Sequence, residues 1–328
     1  MLGQAGCLQQ RCNAVDFRRQ SVSFAAASAS QSRRCIRNRA VRMEVSASTV
    51  KPQIMVNSVA GKMGQAVAEA TLRAGFELVP YTLANAEVAA RSKTIPVAGK
   101  QVEVVGPDRR DAVMAEVKSR YPQLVMVDYT VPDVVNEMAS FYIKHKTPFV
   151  MGTTGGDRAK LVKDVQDAKL YAVIAPNMGK QIVAFQAMFE HAAATFPGAF
   201  SGYKLRVVES HQSTKKDTSG TAKAVVASLN GLGLNFDVSQ IELVREPKEQ
   251  VERMKVPTDA LNGHAFHTYQ LVSGDGSVMF EFQHNVVGRT TYAEGTVDAC
   301  LFLAQKVAGK AGQTLYNMVD VLKAGDMR

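Results

Sequence analysis

Residues 53–75 read QIMVNSVAGKMGQAVAEATLRAG, and the order of residue types in this stretch decides the fold. QIMVNSVA is a short apolar run rich in β-branched residues, the composition of a buried strand. It runs straight into Ser58-Val59-Ala60-Gly61-Lys62-Met63-Gly64. Met63, Val67, Ala70, Leu72 and Ala74 then recur at roughly helical spacing up to Gly75, a helix stop. A strand, a glycine turn and a helix in this order form a phosphate-binding turn. Free N–H groups at the helix start attract a pyrophosphate, and glycines let the backbone approach it. A glycine pattern alone also fits a plain tight turn; its place between strand and helix gives it weight. The usual fingerprint has a further glycine where Ser58 stands.

The same alternation continues outward. FELVPYTLA (76–84) reads as a second strand, 85–100 as a variable loop, and QVEVVG (101–106) as an edge strand. Helical patterns begin at Asp108, Asp133 and Asp157, separated by the strands QLVMVDYTVP, TPFVMGTTGG and LYAVIAPNMG. Strand and helix in turn, with short connections, predict an α/β, Rossmann-like doubly wound parallel sheet. Ligands of such sheets bind at the C-terminal strand ends. Gly152, Thr153 and Thr154 in one turn, and Ala175, Pro176, Asn177 and Met178 in the next, therefore line the expected nicotinamide end. From about 181 a long helix is followed by several strands in succession, which predicts an α+β part with an open, largely antiparallel, mixed sheet.

An acid at the tip of the second strand would grip a ribose 2′-hydroxyl. None stands directly there; Glu87 comes later, and Lys62, Arg91 or Lys93 suit a 2′-phosphate. The expected cofactor is NADPH ahead of NADH.

The formal charge of +9 invites a nucleic-acid reading, but its distribution opposes one. Residues 1–43 carry eight arginines and one acid, Asp16, leaving 31 Lys and Arg against 29 Asp and Glu elsewhere. This segment is Arg-rich, Ser-rich and acid-poor, the composition of an organellar transit peptide rather than a secretory signal; a disordered basic tail is the plainer alternative. Composition does not separate chloroplast from mitochondrion. No apolar run reaches membrane-spanning length. Cys7, Cys12 and Cys35 fall in the segment, so only Cys300 remains, a buried apolar residue by context. The histidines lack ligand spacing, and no metal is expected.

The remaining chemistry is concentrated in VVESHQSTKKDTSGTAKAVV (207–226). Ser219-Gly220-Thr221 opens a helix, whose free N–H groups suit an anion. Lys215 and Lys216 add positive charge, and His211 can exchange a proton near neutrality. The segment is also readable as a solvated loop with a helix cap. Tyr142-Ile-Lys-His-Lys146 has the Tyr-x-x-x-Lys spacing of short-chain dehydrogenases but lies too soon after the glycine turn. It reads as part of an amphipathic helix.

E-x-H-x-x-x-K-x-D followed by S-G-T-A strongly resembles the signature of the dihydrodipicolinate reductases, and ESHQ…DxSGTAK resembles their plant-type branch. GKMG, VDYTVP, FVMGTTGG, APNMGKQ, FPGAFSGY, GHAFH, FQHNVVGR and YAEGTVDA extend the resemblance from about residue 50 to the end. It implies a reductase of lysine synthesis by the diaminopimelate route, in the chloroplast stroma, acting on a cyclic dicarboxylate, with neither nucleic acid nor membrane as partner. It implies Ser58 to Met63 on the cofactor pyrophosphate, and Gly152 to Thr154 and Ala175 to Met178 by the nicotinamide, with Thr154 also touching substrate. It makes His211 the general acid and Lys215 the catalytic lysine. Ser219, Gly220 and Thr221 become the carboxylate site, and Gln212 takes the place of a substrate-binding histidine. It also implies three regions: a transit peptide over 1–48, a dinucleotide-binding domain over 49–180 plus 293–328, and a substrate and oligomerisation domain over 181–292, commonly tetrameric. The competing readings are a nucleotide sensor that has lost its chemistry, or another two-domain dehydrogenase of amino-acid metabolism.

Overall fold

The computed structural model describes residues 50–325; the expected transit peptide lies outside the described residues. The opening stretch forms β1 (Gln53–Val56) and α1 (Lys62–Arg73), followed by β2 (Glu77–Leu78). Next come β3 (Tyr81–Leu83), α2 (Ala86–Arg91), β4 (Thr94–Val97), β5 (Lys100–Val105) and α3 (Arg110–Arg120). β6 (Leu124–Asp128), α4 (Val135–Lys144), β7 (Phe149–Met151), α5 (Arg158–Asp167) and β8 (Ala172–Ile174) complete the first alternation. α6 (Lys180–Thr195), β9 (Lys204–His211), α7 (Gly220–Gly231), β10 (Glu242–Val244), α8 (Pro247–Glu252), β11 (His264–Val272) and β12 (Met279–Val287) follow. α9 (Thr290–Ala308), β13 (Leu315–Tyr316) and α10 (Met318–Ala324) end the chain.

The main sheet has six strands in the order β13-β8-β7-β6-β1-β2, every pair parallel. Its strands are buried on both faces, as helix-covered parallel sheets must be. Ile54, Val56, Val125, Val127, Val150 and Val173 face one apolar cluster with α1 and α9. Met55, Met126, Phe149, Met151, Ala172 and Ile174 face a second with α3, α4 and α5. Strand order reverses beside β1, which opens a crevice at the C-terminal edge.

Three local expectations are corrected. FELVPYTLA is two strands: Pro80 has no N–H to pair onward, and its carbonyl accepts from Glu103 N at 2.8 Å, passing the chain to another sheet. The stretch 85–100 contains α2 and β4. Asn85 caps α2, but the helix buries no residue, so it leaves no apolar stripe to read. QVEVVG is no edge strand but the centre of a separate sheet, β3-β5-β4.

The mixed second sheet runs β10-β9-β11-β12, with β10 parallel to β9 and the rest antiparallel. Leu205 and Val207 on β9 and Tyr269 and Leu271 on β11 alternate onto the face that packs α6 and α7, through Phe185, Phe189, Val225 and Leu229. α9 returns to the main sheet, where Val297, Cys300 and Leu303 are fully buried, and β13 pairs with β8. α9 lies so close to the turn after β8 that a Cβ at Gly295 would stand 1.8 Å from Met178 O.

Gly295→Ala is therefore expected to lose about 1–3 kcal/mol or more in urea unfolding. Gly312→Ala, where an added carbon meets nothing within 4 Å, is the control. Equal stability of the two variants would contradict this packing.

Candidate active site

The turns after β1, β6, β7 and β8 meet at one edge of the main sheet. After β1, Ser58 takes φ +59°, the left-handed turn that a glycine adopts without strain. Gly61 caps α1 with no side-chain hydrogen bond, so the helix start keeps its amides for an anion. A Cβ at Gly64 would lie 2.3 Å from Ser58 O, so only glycine lets the turn fold onto α1. Lys62 is exposed beside this start, and Val59 is buried and donates its N–H to Thr82 Oγ1 at 3.2 Å. This donor set fits a pyrophosphate.

A buried network ties the turns together. Tyr142 OH donates to Asp128 Oδ2 at 2.6 Å and accepts from Asn57 Nδ2 at 2.7 Å. Asn57 Oδ1 accepts from Leu83 N at 3.1 Å. Asp128 Oδ1 accepts from the hydroxyls of Thr130 (2.7 Å) and Thr153 (3.0 Å). Thr153 thus turns its hydroxyl inward, and Thr154 is the exposed hydroxyl of its turn. Tyr142, the decoy of the Tyr-x-x-x-Lys pattern, is fully buried. Burial and the Asp128 carboxylate hold its phenol well above the usual value. Gly152 lies against Tyr129, whose ring a Cβ there would meet at 2.4 Å.

The second group of residues sits where β9 ends. Alternation puts Glu209 and His211 on one face, and register sets Glu209 opposite His267 and His267 opposite His284. Arg245 Nη2 donates to Glu209 Oε1 at 2.6 Å, and Ser219 N donates to Oε2 at 3.0 Å. Arg245 Nε also donates to Lys215 O at 2.7 Å, and Gln250 Nε2 to His211 O at 2.6 Å. The loop 211–219 is thereby clamped at both ends and its middle. Ser219 accepts from Ala222 N at 3.4 Å and caps α7, leaving Gly220 exposed at the helix start. Lys215 pairs with the exposed carboxylate of Asp217 at 2.8 Å, a partner easily exchanged for a substrate anion. Gln212 is half-buried after His211, and Lys216 is exposed.

His211 Nδ1 faces Glu209 Oε1 at 3.6 Å, and His267 Nε2 faces Oε2 at 3.8 Å. The His211 and His267 rings meet edge-on at 5.0 Å, and His267 stacks on His284 at 4.3 Å. Burial pushes the Glu209 carboxyl up, but the nearby His211 imidazole, the hydrogen-bonding Arg245 side chain and the Ser219 amide outweigh it and hold it below the usual 4.5. Burial, with the charges of His284, His211 and Arg245, pushes His267 well below the usual imidazole range. Burial and His211 bring His284 down to about 4.

The two groups touch. Asn177 Nδ2, in the turn after β8, donates to Thr221 Oγ1 in the first turn of α7 at 3.3 Å, while its Oδ1 accepts from Gly179 N at 2.8 Å. Ala175 and Met178 are buried beneath, and Pro176 is exposed. Sequence reasoning missed Glu209 as a clamp, Arg245, Gln250, and the Asn57–Asp128–Tyr142 network. Arg245 stands 36 residues from Glu209, and no local spacing links them.

An open α/β sheet with a glycine turn at its crevice, joined to a second sheet that ends in a histidine and a lysine-bearing loop, is the architecture of a nicotinamide-dependent oxidoreductase. The chain belongs to the dihydrodipicolinate reductase family: residues 52–178 match the model "Dihydrodipicolinate reductase, N-terminus" and 181–322 match "Dihydrodipicolinate reductase, C-terminus". It is 54% identical over 275 residues to 4-hydroxy-tetrahydrodipicolinate reductase 2, chloroplastic, of Arabidopsis thaliana, covering 84% of this chain and 78% of that one. It is 52% identical to the probable 4-hydroxy-tetrahydrodipicolinate reductase 1, chloroplastic, of Oryza sativa subsp. japonica, covering 84% and 80%. Among solved structures, the dipicolinate-bound dihydrodipicolinate reductase from Paenisporosarcina sp. TG-14 superposes with a TM-score of 0.57 at 18% identity, covering 81% of this chain and 97% of that one, which speaks for the fold. The plastid location expected of this chain agrees with the plant relatives. Among the described residues no helix is long and apolar enough to cross a membrane.

The shifted groups dictate an acid response. His267, His284 and Glu209 all bind protons more weakly folded than unfolded. Stability is therefore complete above the unfolded imidazole value of 6.5 and falls as pH drops toward about 4, where His284 titrates in the fold. Glu209 extends the loss below 4.5. The urea midpoint should decrease between pH 7 and 5, and less so in His284→Asn; a midpoint that stays flat or rises would contradict the buried imidazoles.

Proposed function

We propose that this reductase converts 4-hydroxy-tetrahydrodipicolinate, through dihydrodipicolinate, to tetrahydrodipicolinate with NADPH as the preferred donor. Loss of water from the hydroxylated ring leaves a conjugated cyclic imine, to which one hydride and one proton add. The bound nicotinamide supplies the hydride. His211, with Nδ1 toward Glu209, presents its other nitrogen as proton donor, so that Glu209 stabilises the imidazolium. Lys215 leaves Asp217 for a substrate carboxylate. The start of α7, with Ser219, Gly220 and Thr221, holds the other, and Gln212 adds a neutral hydrogen bond. The observation that carries this reading is the Asn177–Thr221 contact, which sets the carboxylate site beside the turn expected to flank the nicotinamide.

The NADPH preference rests on the absence of an acid at the end of β3 and on exposed Lys62 and Lys93. Arg91 is paired with Glu87 at 2.7 Å and contributes less. The dinucleotide domain spans 49–180 plus 293–328 and the substrate domain 181–292, so that closure brings the two sites together. The free edge of β12, with Met279 and Val287 62% and 53% exposed, suits association of copies through the second sheet, in the proposed tetramer.

The assay generates the unstable substrate with the upstream synthase and follows NADPH and NADH absorbance. His211→Gln should lower kcat about 10²–10⁴-fold with little change in substrate KM. A folded wild-type chain that oxidises neither cofactor would sink the proposal; an unchanged kcat in the variant would remove His211 from the acid role.

A further inference from the structure

The sequence spacing predicts no metal ligands, yet adjacent strands bring three together. One ligand atom each from Glu209, His211 and His267 lies within 4.8 Å of the other two. All three side chains are buried, at 0%, 9% and 2% exposure. His211 Nδ1 and both His267 nitrogens have no hydrogen-bond partner, although buried polar atoms normally find one. The two nitrogens that face the carboxylate stand 3.6 and 3.8 Å from it, too far for a hydrogen bond. Ligands of a tetrahedral zinc ion, at about 2.0–2.1 Å each, stand about 3.4 Å apart, and the two imidazole-to-carboxylate gaps, one to each oxygen, lie a few tenths of an ångström above that spacing.

We propose that Glu209, His211 and His267 form a site for a divalent transition metal of the zinc type, and that its occupation switches the reductase off. Two imidazoles and one carboxylate suit Zn²⁺ and leave a fourth position open. Oε1 accepts from Arg245 at 2.6 Å and from the Ser219 amide at 3.3 Å, whereas Oε2 accepts from that amide at 3.0 Å and keeps a lone pair on the side that faces His267. Mg²⁺ prefers oxygen ligands and fits a set with two imidazoles poorly. The switching rests on the acid role of His211 proposed above. A metal on Nδ1 takes the lone pair that must carry the second proton, so the ring cannot become the donating imidazolium.

The test uses the full chain freed of metal by a chelator. Zinc-soaked crystals of the wild type should show an anomalous-scattering peak between His211 and His267. Zn²⁺ should inhibit turnover, Mg²⁺ should not, and a chelator should restore activity. His267→Gln, which lies outside the proposed catalytic set, should keep its activity in chelator and raise the half-inhibiting Zn²⁺ concentration at least about tenfold. Absence of the peak, or zinc affinity undiminished in the variant because Cys7, Cys12 and Cys35 hold the ion, would overturn the site. A peak at the site with full activity would keep the site and overturn both the switch and the acid role of His211.

Discussion

The ion pair between Glu209 and Arg245 is the interaction on which the site depends. Glu209 is fully buried on β9, and Arg245 follows the neighbouring strand β10. A buried carboxylate is costly unless paired and hydrogen-bonded. Here it accepts from a guanidinium and from the amide of Ser219, while the same guanidinium holds the carbonyl of Lys215. One pair therefore sets the direction of β9's last residue, His211, the path of the loop carrying Lys215, and the start of α7.

The main sheet uses a hydrogen-bonded counterpart of the same device. Asp128, Tyr142 and Asn57 are buried at the ends of β6, α4 and β1, and their mutual hydrogen bonds fix the turns on which a dinucleotide would lie. Apolar packing alone leaves those turns free to slide. Polar atoms in a dry interior do not, because each displaced bond leaves an unpaired group. The turn after β8 and the first turn of α7 meet through Asn177 and Thr221, so the proposed carboxylate site takes its position from the edge of the main sheet.

Much of this is legible in the sequence because it is local. The β1 turn and α1 occupy consecutive residues, and the β7 and β8 turns announce themselves by glycine and proline. His211, Lys215 and the Ser219 cap share one ten-residue stretch. What escapes is non-local or too small. Arg245 and Gln250 join the site only through strand register. α2 buries nothing, and β13 is two residues long, so neither shows periodicity. Tyr142 was readable only as a pattern from another family, whereas its hydroxyl is a buried link. The histidines looked scattered along the chain because their neighbourhood is created by pairing β9, β11 and β12.

The most direct measurement of the central claim is a double-mutant cycle on kcat/KM with Glu209→Gln and Arg245→Met, using variants whose cofactor affinity is retained. If the pair holds the loop as a unit, each single change costs nearly as much as both together, with a coupling energy of about 1.5–3 kcal/mol. Additive losses would mean that Glu209 and Arg245 act independently, and the clamp would not be what positions His211 and Lys215.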